Sequence, residues 1–155
     1  MSNISVQEEY APNSICFGCG PSNKEGLQIE SYRIEGGLEM DFVCEEKHQA
    51  FPGVINGGII GSLIDCHGNW TAAMAIMDEN GWDKPQCTVT AQYEVKLKRP
   101  TPFGTKLNLK SRVLGVQKDR AEVIIELKAD GKTCATGRGL FVAVKEGHPA
   151  YHRWH

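Results

Sequence analysis

The 155-residue chain has no uncharged apolar run near the ~18 residues that cross a membrane. Its first residues, MSNISVQEEYAPNS, lack both the basic start and the apolar core of a signal peptide, so a cytoplasmic location is expected. Neither sign of charge dominates: 17 Lys and Arg stand against 19 Asp and Glu, a net charge of −2. That balance gives no electrostatic case for nucleic acid or for an anionic membrane as partner. There is no internal repeat and no low-complexity tract. Six cysteines are present, yet only CFGC, Cys16 to Cys19, has metal-ligand spacing. A structural zinc site takes four ligands, usually from two such pairs, and no second pair follows. Nothing in the spacing recruits Cys44 or His48. The pair therefore reads as part of an ordered loop, and neither metal nor cofactor is expected.

The length fits one domain with a core that needs no staples. Residues 1–25 carry Pro12, Gly18, Gly20 and Pro21 and read as an N-terminal loop segment. The domain proper is expected over 26–145, with a C-terminal tail over 146–155. LQIESYRI and LEMDFV read as two strands joined by Glu35-Gly36-Gly37. EEKHQAFPGVI is a connection with room for one helical turn. Gly57 to about Asp78 is a helix. Beyond Pro85 the period changes. In CTVTAQYEVKL the residues Cys87, Val89, Ala91, Tyr93, Val95 and Leu97 alternate with polar ones, as in a strand with one wet face. Two further strands follow, over Thr105 to Leu114 and over RAEVIIELKA. Asp130-Gly131 is a two-residue hairpin turn, and KTCATGRGLFVAV closes the series. The order is β-β-α-β-β-β-β: an α+β domain in which one long helix covers an antiparallel sheet of about six strands.

That helix opens as NGGIIGSLID, Asn56 to Asp65, with three glycines in ten residues. Each interior Gly costs roughly 0.5–1 kcal/mol relative to Ala. On a helical wheel Ile59, Ile60, Leu63, Ile64, Trp70, Met74 and Met77 share one arc and belong to the sheet. Gly57, Gly58, Gly61, Ser62, Gly68, Asn69, Ala72 and Ala75 share the other, with Asp65 near its middle. A face of small residues lets another backbone or a ligand come close. Bare N–H groups at a helix start, at the positive end of the dipole, suit an oxyanion. Gly57 and Asp65 lie about 12 Å apart along the axis, at 1.5 Å per residue. One straight helix therefore cannot present both to one carbonyl, whereas a second subunit can.

These residues resemble the PaaI-like branch of the hotdog-fold acyl-CoA thioesterases. The family block, His-Gly-Gly, six residues, then Asp, stands here as Asn56-Gly57-Gly58, IIGSLI, Asp65. TVTAQYEVKLKRPTPFGT, Thr88 to Thr105, resembles the family strand that ends in Arg-Pro and a Gly. CFGCGPSNKEGLQI resembles the N-terminal block of one subgroup. The resemblance implies a homodimer or a dimer of dimers joined at sheet edges, acting on acyl-CoA. One subunit would offer the N–H of Gly57 or Gly58 to the thioester oxygen. The other would offer Asp65 as general base or nucleophile, with Thr90 placing the water. Two positions depart from the pattern. Asn56 replaces the family His; it still donates a hydrogen bond but does not titrate. Ala50 stands where some members carry a polar, water-positioning residue.

Other residues read more plainly. His67 falls in the bulky arc and is expected to be a packed, satisfied ring. Thr90 has the polar parity of its strand, so a surface threonine competes with a site residue. Lys98 and Arg99, with Lys96, suit coenzyme A phosphates or a solvated strand face equally. His148, His152 and His155 belong to what reads as a frayed tail. Three functions compete: an acyl-CoA thioesterase, favoured by the Gly-Gly…Asp block; a non-catalytic acyl-CoA binder, favoured by Asn56 and Ala50; and a hotdog dehydratase or hydratase, disfavoured by the missing His.

Overall fold

The computed structural model describes residues 3–155. In chain order the elements are α1 (Val6–Tyr10), β1 (Tyr32–Ile34) and β2 (Gly37–Phe42). A single 3-10 turn at Glu46–His48 precedes the small hairpin β3 (Gln49–Phe51) and β4 (Val54–Ile55). Then come α2 (Gly57–Asn80), β5 (Thr88–Leu97), β6 (Leu107–Gln117), β7 (Arg120–Ala129) and β8 (Lys132–Ala143). Six strands form one antiparallel sheet in the order β1-β2-β6-β7-β8-β5. α2 lies across it, chiefly over β5 to β8. This is the hotdog arrangement, and it leaves β1 and β5 as the two edges.

Local chemistry places the element ends. Asn56 caps α2, and Gly81, in the left-handed region at φ 67°, ends it. Asp130 and Gly131 both have positive φ, at 51° and 77°, and fold β7 back onto β8 as a tight turn. The connection expected before α2 does contain one helical turn, and it also pairs with itself as β3 and β4.

Four expectations need correction. The first strand is only three residues long, because the chain before it bonds elsewhere. The N–H groups of Leu27 and Ile29 go to the carbonyls of Phe17 and Gly18, and that of Ser31 to Gln7 Oε1. The small-residue arc of α2 is open only in its first turns. Asn69 and Ala72 are buried, and Gly68 faces the sheet, where a Cβ would press on Ile125 and Phe141. The tail is docked, not frayed. Trp154 is 4% exposed and stacks on Trp70 with ring centroids 4.0 Å apart. His148, His152 and His155 stay on its exposed side. Side chains from both end segments, Val6, Ala11, Cys19 and Trp154, thus belong to the same core as the helix and sheet. A wheel cannot foresee covers supplied from distant segments.

The fourth correction concerns β5. Its pairing with β8 slips between Thr90 and Gln92, which leaves Ala91 as a bulge. A bulge reverses the alternation of facing side chains. Thr88 and Thr90 therefore reach α2 on one side of it. On the other side Tyr93 and Leu97 reach the same helix, 3.6 Å from where Cβ atoms on Gly61 and Gly57 would stand. The parity that made Thr90 a surface residue does not hold across this strand.

Candidate active site

The start of α2 and the facing half of β5 build the first half of the site. Asn56 Oδ1 accepts the N–H groups of Gly58 at 2.8 Å and Ile59 at 3.2 Å. The cap thus uses the Gly58 donor, and its carboxamide –NH2 has no partner among the described residues. The Gly57 N–H also has no partner among them. Gly57 and Gly58 are exposed and, with Gly61, Tyr93, Val95 and Leu97, line an open groove of 480 Å³. Its walls are apolar and its floor is backbone, which suits an acyl chain ending in a polarised oxygen.

The second half lies two turns along the helix. Thr90 Oγ1 donates to Asp65 Oδ1 at 2.6 Å, the short range of a hydroxyl bound to a carboxylate. Asp65 Oδ2 has no protein partner among the described residues. The pair lines a cleft of 320 Å³ with Cys16, Cys19, Cys66, Asn69, Val89, Ala150 and Arg153. Burial raises the Asp65 pKa above the usual carboxylate range; the Thr90 bond and the Arg153 charge oppose that shift only in part. Arg153 is fixed by its own bonds, to Cys87 Sγ at 2.7 Å and Thr88 O at 2.8 Å. A larger hollow of 580 Å³ lies elsewhere, among surface charges that include Glu94, Lys96, Arg112 and Arg138. It contains neither Asp65 nor the helix start.

A carboxylate with one oxygen held by a hydroxyl and the other free, in a cleft on a hotdog helix, is an arrangement for activating water. The family model of the thioesterase superfamily matches residues 52–136, the span that carries β4, α2, β5 to β7 and the start of β8. The chain belongs to the thioesterase superfamily. No curated protein matches the sequence. Among solved structures, a thioesterase superfamily protein from Shewanella loihica PV-4 is 30% identical. That match covers 76% of this chain and 91% of the other, with a TM-score of 0.61. A Bacillus halodurans protein solved with CoA is 24% identical, covering 77% and 76% of the two chains at a TM-score of 0.63. The E. coli PaaI protein from the phenylacetic acid degradation operon is 20% identical, covering 77% and 81% at a TM-score of 0.63. The last two share the hotdog fold with this thioesterase-superfamily chain, and PaaI represents the branch that the Gly-Gly…Asp block resembles.

The predicted residues of this superfamily member fall into two groups. Asp65 meets Thr90 in one hollow, while Gly57 and Gly58 line another, with Gly58 bonded to the Asn56 cap. Lys98 and Arg99 sit just past β5 and are exposed; their backbone N–H groups bond Cys134 O, and their side chains have no partner among the described residues. Ala50 is exposed on β3 and brings no polar group. His67 is fully buried, as expected. Its Nε2 lies 3.2 Å from Leu38 O and must donate to that carbonyl, so Nδ1 accepts from Ser31 Oγ at 2.8 Å. Burial lowers its pKa to about 4, and the ring is a neutral strut.

Sequence reasoning missed Cys66 and Arg153. Cys44 and His48 do not join Cys16 and Cys19; Cys66 does, fifty residues from Cys16. Mutual contacts within the trio lower the Cys16 pKa and raise those of Cys66 and Cys19, that of Cys19 to about 12. Arg153 was hidden because its segment read as a tail. The one available signal was the Trp-containing end itself, since a Trp rarely stays in solvent when a core is near.

Proposed function

We propose that the chain is an acyl-CoA thioesterase that hydrolyses a thioester to a free acid and coenzyme A, working as a homodimer or dimer of dimers. The observation that carries this reading is the Thr90–Asp65 bond in a cleft separate from the bare helix start. Two half-sites on one chain become one site when β5 edges meet across a two-fold axis. The β5 edge supports such a union: it is the unpaired side of the sheet beside the groove, and it exposes Tyr93 and Leu97 at 44% and 59%.

In this reading the thioester oxygen takes the free N–H of Gly57 in one subunit. The N–H of Gly58 joins only if the Asn56 carboxamide turns away. The –NH2 of Asn56 provides a further donor. Asp65 of the other subunit accepts a proton from water through Oδ2, while the Thr90 hydroxyl holds Oδ1 and orients the carboxylate. The hydroxide adds to the carbonyl carbon, the C–S bond breaks, and the departing thiolate takes the proton from Asp65. Held on one side by Thr90, Asp65 acts as base; attack by Asp65 itself would give an anhydride that water must then open. Lys98 and Arg99, free and cationic, receive coenzyme A phosphates. CoA bound to the Bacillus halodurans relative supports the ligand class.

The test is a panel of short, long and aryl acyl-CoA esters assayed for free-thiol release. Turnover well above the uncatalysed rate on at least one class is expected. Background rates on every class, with acyl-CoA still bound, would replace the enzyme by a binder.

A further inference from the structure

Three thiols meet beside the candidate active site with no part in its chemistry. Cys16 and Cys19 come from the N-terminal loop and Cys66 from α2, and their sulfurs all lie within 4.8 Å of one another. Cys16 Sγ and Cys66 Sγ are 3.8 Å apart. A disulfide holds its sulfurs about 2.0 Å apart. Two thiolates on a tetrahedral zinc ion, each about 2.3 Å from it, stand about 3.8 Å apart. The observed spacing is too long for a bridge and already matches a ligand pair, so an ion could enter with little movement of the two sulfurs.

The loop is shaped to keep these sulfurs together. A Cβ on Gly18 would fall 2.3 Å from Cys66 Sγ, so only glycine lets the loop pass this close to α2. A Cβ on Gly20 would fall 2.4 Å from Cys16 N and 2.5 Å from Ser14 O. The Gly20 N–H instead closes the CFGCG turn on Cys16 O at 2.8 Å. Trp70 Nε1 donates to Cys19 Sγ at 3.3 Å, a contact that suits a thiolate. Asn69, 5% exposed, lines the same cleft, and its Oδ1 is buried with no hydrogen-bond partner among the described residues. Arg153 supplies a positive charge at the cleft wall.

We propose that Cys16, Cys19 and Cys66 bind one zinc(II) ion that clamps the N-terminal loop to α2, one residue from Asp65. Binding removes three thiol protons, which pass to solvent. The ion and three thiolates carry a net charge of −1, facing Arg153, and the fourth coordination place is left to water. This site stands apart from the thioesterase reading, since a chain with no hydrolase activity would hold the ion equally well.

The full chain, purified under reductant, is titrated with zinc(II) and, in parallel, with cobalt(II). One ion per chain should survive desalting. Cobalt should give an intense thiolate-to-metal charge-transfer band and visible bands of tetrahedral intensity. Zinc should raise the Tm. Cys66→Ser should weaken zinc by more than the roughly 10- to 100-fold that loss of a supporting contact costs, and Cys44→Ser should bind as the parent does. Where Cys66→Ser fails to fold, Cys16→Ser, on the loop, gives the same comparison. No stoichiometric metal with the thiols reduced, cobalt bands unchanged in these variants, or a Cys16–Cys66 disulfide in protein never exposed to oxidant would each overturn the site.

Discussion

Asp65 accepts one hydrogen bond from a described side chain, that of Thr90. Thr90→Val keeps the shape and removes the donor. A bond to a charged group contributes about 1.5–3 kcal/mol, so turnover should fall roughly 10- to 100-fold while the fold persists. A Thr90→Val enzyme at full rate would release Thr90 from the mechanism. Asn56 has two separable tasks, because its Oδ1 caps the helix and its –NH2 is free. Asn56→Ser retains a cap and loses the amide donor. Stability should hold while turnover falls roughly 100-fold, the low end for one lost oxyanion donor. Asn56→Ala should in addition cost about 1 kcal/mol of stability, read from chemical denaturation. Asn56→Ser at full rate would leave oxyanion binding to the backbone. Asp65, Gly57 and Gly58 could be picked from the sequence because a fixed spacing carries them. Thr90 could be named but not oriented, since one bulged residue sets its direction. Cys66 and Arg153 were missed, because only the folded chain brings them to the cleft, and the Trp at the chain end signalled a docked segment but not its place.

α2 and the strands β5 to β8 follow from period, caps and turns, all of which are local. What local pattern misses is the cover. The N-terminal loop takes over the hydrogen bonds that would have lengthened β1, and the tail lays Trp154 on Trp70. Both cover the far side of a helix whose middle turns, Trp70 to Met74 among them, are buried all round. Trp154→Ala tests this directly. Truncating a buried Trp costs about 3 kcal/mol or more, so the melting temperature should drop by several degrees. An unchanged melting temperature would mean that the tail contributes no cover. The same docking places Arg153 in the cleft, where its charge favours ionised Asp65, so this variant should also raise the pH at which turnover sets in.

A single chain holds the oxyanion donors and the base in separate hollows, so the proposed chemistry belongs to the assembly. The β5 edge is the natural seam, since it exposes strand backbone and apolar side chains beside the helix start. Mixing two inactive variants measures this directly. Asp65→Asn removes the base and should lower turnover by ~10²–10⁴. Gly57→Leu blocks the groove, and its Cβ meets only Leu97 at an ordinary 3.6 Å, so the helix start should tolerate it. Each variant alone should be nearly inactive. After subunit exchange, half of the dimers pair one variant with the other, and each of these has one site built from an intact Gly57 and an intact Asp65. The mixture should regain about a quarter of the parent activity, since each site draws on both chains of a two-fold pair. Activity that stays at the sum of the two variants, with exchange confirmed by mass spectrometry, would place both groups in one chain and contradict the shared site.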